Sequence, residues 1–402
     1  MKPQNEKNGR KGLWTSYAFF IALTFLIASC KKDAMITPAS VAETTATGAS
    51  TGSNTATTPS GSTSSTAATS TTSSSATTPT GATTPATGTT SATNNTAAST
   101  TAMPAVTTGS TTTIAVTGYT ASAPINLNGS HDITISGKLI NGGSVPAISL
   151  TNCYNVHITK NMLGNSTDVG VFLYNCYNVT VDYNNITNVS TGVYVVNTTG
   201  GGIVVNYNQF RNMVGPMPRG QFVQFNTVSG AGNSISYNKG ENIFGQSNPE
   251  DAINVYKSNG TPSSPIQVVG NWIRGGGPSA TGGGIMLGDT GGSYEIASNN
   301  ILVDPGQYGI AIAGGDHMSI TNNSIYGKAQ SFTNIGLYIW GQSGSACTNA
   351  TISGNQVKFF NKSNNENDAW VGTGESTPSG WSTNTFSANI SASILPAVVV
   401  SF

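Results

Sequence analysis

Short segments of alternating apolar and polar residues recur along the chain from about residue 114 to about residue 360. In each segment a polar residue stands three positions after the last apolar one, and successive residues of this kind are 23 to 33 positions apart. These anchors are Lys138, Asn161, Asn184, Asn208, Asn238, Asn271, Asn299, Asn323 and Asn355. A repeat in this range is typical of a protein built from stacked units, so we predict about nine coils.

A second segment of similar pattern follows in each repeat, for example GVFLY, GVYVV, AINVY, GIMLG and GLYIW. Alternation with a period of two, and the many β-branched residues, predict strands rather than helices. A coil of this length cannot bury its apolar side chains alone, whereas coils stacked at the inter-strand spacing of roughly 4.8 Å bury them in one continuous column. The pattern therefore predicts a parallel β-helix.

With these repeats, residues 114 to about 360 resemble the right-handed parallel β-helix, or pectin-lyase-like, superfamily. The resemblance implies an all-β fold, a single-stranded right-handed parallel β-helix of about nine coils. The handedness follows from the resemblance and from the general preference for right-handed crossovers. We expect the anchor Asn residues to adopt the left-handed backbone of tight turns and to stack as a hydrogen-bonded ladder.

Two cysteines begin nearly identical stretches, CYNVHITKN at Cys153 and CYNVTVDYN at Cys176. They occupy one column in successive coils, which places their α-carbons within the range that a disulfide can join. A disulfide and two stacked core thiols are both compatible with this spacing. Cys347 holds the same column several coils away.

The first 29 residues read as a signal peptide, with basic residues followed by an apolar run too short for a membrane span. The stretch LIASC resembles the lipobox of bacterial lipoproteins, which implies lipidation at Cys30. An ordinary secretory signal is the alternative. We therefore expect an exported protein at the outer membrane or cell surface, attached to the membrane through Cys30.

Residues 30–113 are almost entirely Thr, Ser, Ala, Gly and Pro, which predicts a disordered linker behind the anchor. The β-helix is expected over residues 114–362. Residues 363–402 break the repeat and are expected to cap the last coil, because an open β-helix end exposes unpaired strand edges.

Charge is sparse: Asp, Glu, Lys and Arg make up 8% of the chain and the net charge is zero. A basic surface for binding nucleic acid is absent from such a composition, so we expect no nucleic-acid partner. We expect a monomer.

The second strand of each coil points alternate residues outward. Alignment of the coils gives one outward column of Phe172, Tyr194, Val223, Asn254, Met286, Ala311 and Tyr338, and a second of Tyr174, Val196, Phe225, Tyr256, Gly288, Ala313 and Trp340. Aromatic rings on a flat sheet suit stacking against sugars, so we predict substrate-binding roles for Tyr194, Phe225, Asn254, Tyr338 and Trp340. Loops or the linker covering these aromatics is the alternative.

The anchor spacing widens between Asn208 and Asn271, and insertions in a solenoid often border its binding face. The same coils carry much of the charge of the domain, so we expect a groove there. In related β-helix lyases a Lys or Arg removes a proton beside a uronate carboxylate, which a cation or Ca²⁺ neutralises. By this resemblance of setting, the base would be Lys257, the neutralising group Arg274 or Arg219, the proton donor Tyr256, and the Ca²⁺ ligands Glu250 and Asp251.

Simple ion pairs are the competing interpretation, because Arg219 and Glu250 fall in one predicted column and Lys257 and Asp289 in another. A glycoside hydrolase needs two carboxyl groups within about 9.5 Å. Asp251 and Asp289 are expected at opposite ends of a strand, roughly 20 Å apart, which argues against a hydrolase.

The sequence thus predicts an exported β-helix protein with a polysaccharide partner, which it binds or cleaves. Cleavage by β-elimination of a uronate polymer is the most concrete enzymatic hypothesis. The alternative is a non-catalytic adhesin or glycan-binding module.

Overall fold

The computed structural model describes residues 118–216 and 219–402. The predicted signal peptide, the lipidation site at Cys30 and the linker lie outside the described residues. Within the described ranges, no helix has the length and apolar character that a membrane span requires.

The described residues form 31 strands. In chain order they are β1 (Thr120–Ser122), β2 (Ile125–Asn128), β3 (His131–Ser136), β4 (Lys138–Gly143), β5 (Ile148–Thr151), β6 (Tyr154–Thr159), β7 (Met162–Ser166), β8 (Val171–Tyr174), β9 (Tyr177–Asp182), β10 (Asn185–Val189), β11 (Val193–Thr198), β12 (Ile203–Asn206), β13 (Gln209–Met213), β14 (Val223–Val228), β15 (Ser234–Ser236), β16 (Lys239–Glu241), β17 (Ile253–Asn259), β18 (Ile266–Val269), β19 (Trp272–Arg274), β20 (Ile285–Ser293), β21 (Glu295–Ser298), β22 (Ile301–Val303), β23 (Tyr308–Ile312), β24 (Gly315–Asp316), β25 (Ser319–Thr321), β26 (Ser324–Gly327), β27 (Ile335–Ile339), β28 (Cys347–Thr348), β29 (Thr351–Ser353), β30 (Gln356–Phe359) and β31 (Ala369–Val371). Two short 3₁₀ helices follow, at Trp381–Thr383 and Ala392–Ile394.

Three parallel sheets wind together, and each coil contributes one strand to each sheet. The first sheet runs β1-β4-β7-β10-β13-β16-β19-β22-β26-β30. The second runs β2-β5-β8-β11-β14-β17-β20-β23-β27-β31, with β24 and β28 paired beside it, and the third runs from β3 to β29. The chain is therefore a right-handed parallel β-helix, and the predicted fold class is confirmed.

Apolar side chains from all three sheets fill one continuous core inside the coils. Along β8 and β11, alternate residues such as Val171 and Val193 are fully buried, while Phe172 and Tyr194 face outward. Burial of these stacked Val, Ile and Leu columns stabilises the fold, because each side chain leaves water only when a neighbouring coil covers it.

An Asn ladder runs along one corner of the coils, as predicted. Each Asn Nδ2 donates to Oδ1 of the Asn in the next coil and to a backbone carbonyl of the preceding coil, as Asn184 does to Asn208 and to Ile158. The ladder comprises Asn161, Asn184, Asn208, Asn238, Asn271, Asn300, Asn323, Asn355 and Asn384.

Two details of the ladder differ from the sequence prediction. Asn300, not Asn299, is the ladder member. The left-handed backbone belongs to the preceding residue, such as Tyr183 (φ 53°) or Asn299 (φ 56°), rather than to the ladder Asn itself. The turn needs one left-handed residue to redirect the chain, and the following side chain can then point inward and bond.

The outward columns also need a correction in the wide coils. Tyr194 pairs with Gln224 and Val196 with Asn226, so Val223 and Phe225 point inward. Phe225 is 0% exposed, and it packs in the core instead of facing a ligand. The prediction of Phe225 as a substrate-binding residue is therefore wrong.

The C-terminal segment takes a course that the sequence did not indicate. Stacking continues beyond residue 362, because β31 pairs with β27 and Asn384 extends the ladder. Trp381 packs against the end of the core. The last residues then lie on the outer face of the first sheet, where Leu395, Val399 and Val400 form an apolar cluster with Val303.

Two arginines of the first sheet fasten this tail. Arg274 donates from Nη2 to the carbonyls of Ala392 and Leu395, at 2.8 and 2.9 Å. Arg211 donates to the carbonyl of Val400 and pairs with Glu241 at 3.4 Å. Arg274 therefore supports the tail on a different sheet from the predicted groove, and its predicted role as the neutralising cation is wrong.

Candidate functional site

Two aspartates meet on the outer face of the second sheet, in the wide coils. Asn254, on β17, donates from Nδ2 to Oδ2 of Asp251 at 2.7 Å and to Oδ2 of Asp289 at 2.8 Å. Because both oxygens bond to the same nitrogen, they lie within about 5.5 Å of each other. The expectation that these carboxyl groups are roughly 20 Å apart is therefore wrong.

The local backbone explains this approach. Asp251 precedes β17 and lies in the turn, so its side chain is not fixed by the extended strand. In β20 the register shifts by one residue between the partners of Asn254 and Tyr256, so that Asp289 stands opposite Tyr256. The predicted column of Lys257 with Asp289 is therefore shifted by one position.

Asp251 receives further hydrogen bonds on its other oxygen. Tyr308 donates its hydroxyl to Oδ1 at 2.5 Å, and the Gly283 N–H donates at 3.1 Å. Burial, followed by the nearby Asp251 charge, raises the pKa of Tyr308 well above its usual value, so the phenol remains a donor. A β-carbon on Gly283 would lie 2.7 Å from the Tyr308 ring, and glycine is therefore what lets the ring reach Asp251.

Glu250 is held by the loop that precedes β20. Ser279 Oγ donates to Oε2 and Thr281 Oγ1 donates to Oε1, both at 2.6 Å. Gly282 packs against the Glu250 backbone so closely that a β-carbon would lie 2.3 Å from the carbonyl carbon. The Gly-rich stretch GGGPSATGGG thus supplies two hydroxyl donors and a close backbone approach to an acidic residue.

A fourth carboxyl group belongs to Glu295, the first residue of β21 in the third sheet. It is fully buried in a column whose neighbour is Ile266, and its Oε2 accepts from the Gly288 N–H at 2.8 Å. Burial, opposed in part by this bond and reinforced by the Asp289 charge, raises the pKa of Glu295 well above its usual value. Through its bond to the Gly288 N–H, Glu295 supports the bulge that carries Asp289.

A cavity of about 340 Å³ opens on the same face, toward the C-terminal coils. Its aromatic walls are Tyr338, Trp340 and Trp370. Thr281, which bonds Glu250, also lines it, and Tyr338 packs edge-on against Tyr308 with 5.4 Å between ring centroids. The cavity and the carboxylate group are thus neighbouring parts of one surface.

Two other predicted site residues, Arg219 and Lys257, lie over tyrosine rings. Arg219 places its guanidinium 4.0 Å from the centre of the Tyr194 ring, in a cation–π contact. Its Nη1 is buried and has no hydrogen-bond partner among the described residues. Lys257 lies over the ring of Tyr256, with Nζ 5.0 Å from the ring centre.

Sequence reasoning placed Asn254, Tyr338 and Trp340 on this face and missed Asp289, Tyr308, Glu295, Trp370 and the two hydroxyl donors as site residues. A signal for one of them was present. Glu295 follows Ile203 and Ile266 in a mainly apolar inward column, and an acidic residue at such a position is rarely buried without a partner.

The described residues hold no group of three or more His, Cys, Asp or Glu side chains that could bind a metal ion. Glu250 and Asp251, the predicted Ca²⁺ ligands, have oxygens bonded to hydroxyl, phenol, amide and backbone donors instead. The structure gives the Ca²⁺ prediction no support.

The cysteines of residues 118–216 and 219–402 are free thiols. Cys153 and Cys176 are buried in one column, and each donates from Sγ to the carbonyl two residues earlier, at 3.3 Å. Of the two interpretations, the stacked core thiols describe this pair.

Residues 47–227 match the model of the family described as periplasmic copper-binding protein (NosD). The matched segment ends before Asp251 and Asp289. Copper favours imidazole and sulfur ligands. The three histidines each pair with a separate aspartate, at distances of 2.6 to 2.8 Å, and among the described residues none belongs to a group of three or more His, Cys, Asp or Glu side chains. The described residues therefore do not fit a copper site.

Two solved structures are similar in part. One is the catalytic domain of a GH87 α-1,3-glucanase variant in complex with tetrasaccharides, at 13% identity and a TM-score of 0.40, covering 64% of this chain and 50% of that one. The other is the catalytic unit of a thermostable GH87 α-1,3-glucanase from Streptomyces thermodiastaticus, at 14% identity and a TM-score of 0.27, covering 57% and 50%. The chain thus spans about half the length of these structures. A search of curated protein sequences finds no match.

The word periplasmic in the family description agrees with the export predicted from the N-terminus. Anchoring through Cys30 at the outer membrane or cell surface stays a prediction.

Proposed function

We propose that this protein hydrolyses glycosidic bonds of a polysaccharide, with Asp251 and Asp289 as the carboxyl pair. The observation that supports this is the single Asn254 amide that holds both carboxylates within about 5.5 Å. Glycoside hydrolysis needs two carboxyl groups on either side of the bond, one to donate a proton and one to activate water or attack. A separation near 5 Å is within the range that such pairs adopt.

The surroundings suit the two carboxyl groups to different roles. Donors from Tyr308, Gly283 and Asn254 converge on Asp251 and fix its orientation, which suits the group that activates water or attacks the sugar. Asp289 is the more exposed of the two, at 6% against 1%, and it suits the role of proton donor to the departing sugar oxygen.

β-Elimination of a uronate polymer is the second candidate. Lys257 is exposed on the same sheet beside Tyr256, which keeps the proposed base and proton donor together. The lyase would have to neutralise the uronate with Arg219, because Arg274 is bonded to the C-terminal tail. A non-catalytic glycan-binding module is the third, and the low exposure of both aspartates favours it.

Two product assays on one set of digests separate these candidates. The full chain is incubated with neutral glucans, xylan, alginate and pectate, and new reducing ends and absorbance near 235 nm are both measured. Asp251→Asn, Asp289→Asn and Lys257→Ala are compared with Asp182→Asn, a control on the third sheet whose carboxylate bonds His157. Melting curves check that each variant folds.

If the protein is a hydrolase, new reducing ends should form without a rise in absorbance near 235 nm. The rate at which they form should fall by a factor of about 100 or more in Asp251→Asn and in Asp289→Asn, and should be unchanged in Asp182→Asn and Lys257→Ala. Absorbance that Lys257→Ala abolishes would replace the hydrolase with the lyase. Binding of a polymer without formation of either product would support the non-catalytic glycan-binding module.

A further inference from the structure

We infer that the cavity between Tyr338, Trp340 and Trp370 binds uncharged sugar units, so that the polymer is a neutral glycan and not a uronate polymer. This inference rests on the proposed function, because it names the substrate class of that site. It is carried by the chemistry of the cavity walls and by their position relative to the carboxylates.

The cavity walls contain no charged side chain. Apart from the three aromatics, they offer the side-chain amides of Gln307, Asn334, Gln342 and Asn367, together with Thr281, Ile335 and two alanines. Amides both donate and accept, which suits sugar hydroxyl groups, and aromatic rings suit the apolar faces of sugar rings. A uronate carboxylate in this cavity would lose its hydration without meeting a cation.

The wall aromatics are held in place by packing. Trp340 and Trp370 lie with ring centroids 5.8 Å apart, and Trp370 is brought there by the pairing of β31 with β27. Tyr338 is fixed against Tyr308, which itself bonds Asp251. A preformed aromatic surface binds a sugar without a further cost of ordering its side chains.

The charges around the cavity also favour a neutral polymer. Glu250, Asp251 and Asp289 lie at one end, and Thr281 links the cavity wall to Glu250 at 2.6 Å. On the other side, Glu375 accepts from the Gly341 N–H beside Trp340 at 2.8 Å. Carboxylates on both sides would repel a polymer that carries a negative charge on each sugar.

The cations of the second sheet lie outside the cavity. Arg219 stacks on Tyr194 in β11, five strands from β27, which is roughly 24 Å along the sheet. Lys257 belongs to β17, the strand of Asn254, so it lies in the same coil as the carboxyl pair and roughly 14 Å from β27. Lys362 bonds Thr333 through its backbone and is exposed, but it does not line the cavity.

The number of intervening strands also gives the distance between the cavity and the carboxyl pair. Tyr338 stands in the outward column of Asn254, three strands away, so roughly 14 Å separates the aromatic wall from the carboxyl pair. A polymer lying along the sheet would therefore reach both at once. The cavity holds sugars beyond the bond that is cleaved, and its loss should raise KM more than it lowers kcat.

Affinity electrophoresis of the full chain in gels containing soluble glucans, xylan, alginate or pectate tests the inference. The variants are Trp340→Ala and Trp370→Ala, and the control is Tyr237→Ala, an exposed aromatic at a corner of the coils outside this cavity. We expect retardation by at least one neutral polymer, weakened at least about tenfold in both tryptophan variants and unchanged in the control. We expect no retardation by alginate or pectate.

Retardation by a uronate polymer that Trp340→Ala removes would overturn the inference, as would the absence of binding to every neutral polymer. The proposed function fails separately. Neutral polymer bound through the tryptophans but never cleaved would refute the hydrolase and leave the sugar class intact. Cleavage of pectate or alginate that depends on Asp251 and yields reducing ends without absorbance would uphold the hydrolase and refute the sugar class.

Discussion

The Asn ladder provides the sharpest test of the register of the coils. In the structure, Asn300 is the buried ladder member and Asn299 is the exposed left-handed residue beside it. The alignment of sequence repeats alone makes Asn299 the ladder member. The substitutions Asn300→Ala and Asn299→Gly therefore separate the two registers at adjacent positions.

The expected cost follows from the bonds that Asn300 makes. Its Oδ1 accepts from the backbone N–H and from Nδ2 of Asn271, and its Nδ2 donates to the Val268 carbonyl and to Asn323, all at 2.9 Å. Alanine would leave the buried Asn271 N–H without a partner and remove a donor from the Val268 carbonyl. At about 1 to 3 kcal/mol for each unsatisfied buried group, we expect a loss of about 3 to 5 kcal/mol.

Asn299→Gly should change the free energy of unfolding by less than about 1 kcal/mol, because glycine adopts a φ of 56° readily. Urea unfolding of both variants, followed by circular dichroism and fitted with a common slope, measures the difference. If Asn299→Gly costs as much as Asn300→Ala, the register described here is wrong.

Three further predictions concern titrating groups. Burial raises the pKa of Glu295 in the folded protein, so the wild type should lose stability relative to Glu295→Gln as pH rises above about 4.5. The measurement is the difference in unfolding free energy between the two proteins at pH 4 and at pH 8, and a constant difference would contradict the raised pKa. For Asp316, three hydrogen bonds, the largest effect coming from Thr348, lower the pKa to about 2, so its contribution should be present above about pH 4 and be lost as pH falls toward 2. An NMR titration of Asp316 with a midpoint near 4 would refute this. For Cys347, burial and the nearby Glu375 raise the pKa to about 12, so its alkylation at pH 8, followed by mass spectrometry, should be roughly 1000-fold slower than that of a free thiol. Labelling at the rate of a model thiol would be inconsistent with that burial.

The fold was accessible from the sequence because each coil repeats one column of side chains. The alternation in GVFLY and GVYVV, and the Asn that follows each strand, recur with a spacing that only stacked strands satisfy. The Asn ladder was predicted for the same reason, since a polar residue at the same place in every coil needs the neighbouring coil as its partner.

The site was less accessible, because it depends on the places where the repeat is broken. In QFVQFNTV the aromatic Phe222 packs against Phe210 at a corner, with 5.6 Å between ring centroids, and it offsets the apparent alternation by one residue. That shift turned Phe225 inward and Gln224 outward. Likewise, the pairing of Asp251 with Asp289 requires the bulge in β20, which no periodic pattern encodes.

The C-terminal tail changes how this solenoid should behave as a whole. In most solenoids each coil touches only its neighbours, so the ends can fray and the coils between them can open independently. Here the last residues return to Arg211 and Gln209, 189 and 192 positions earlier in the chain. Coils from β13 onward are thereby enclosed in a loop that closes only when Val400 and Ser401 are in place. Loss of these two contacts would open the loop and let the coils from β13 onward unfold one after another, as in other solenoids.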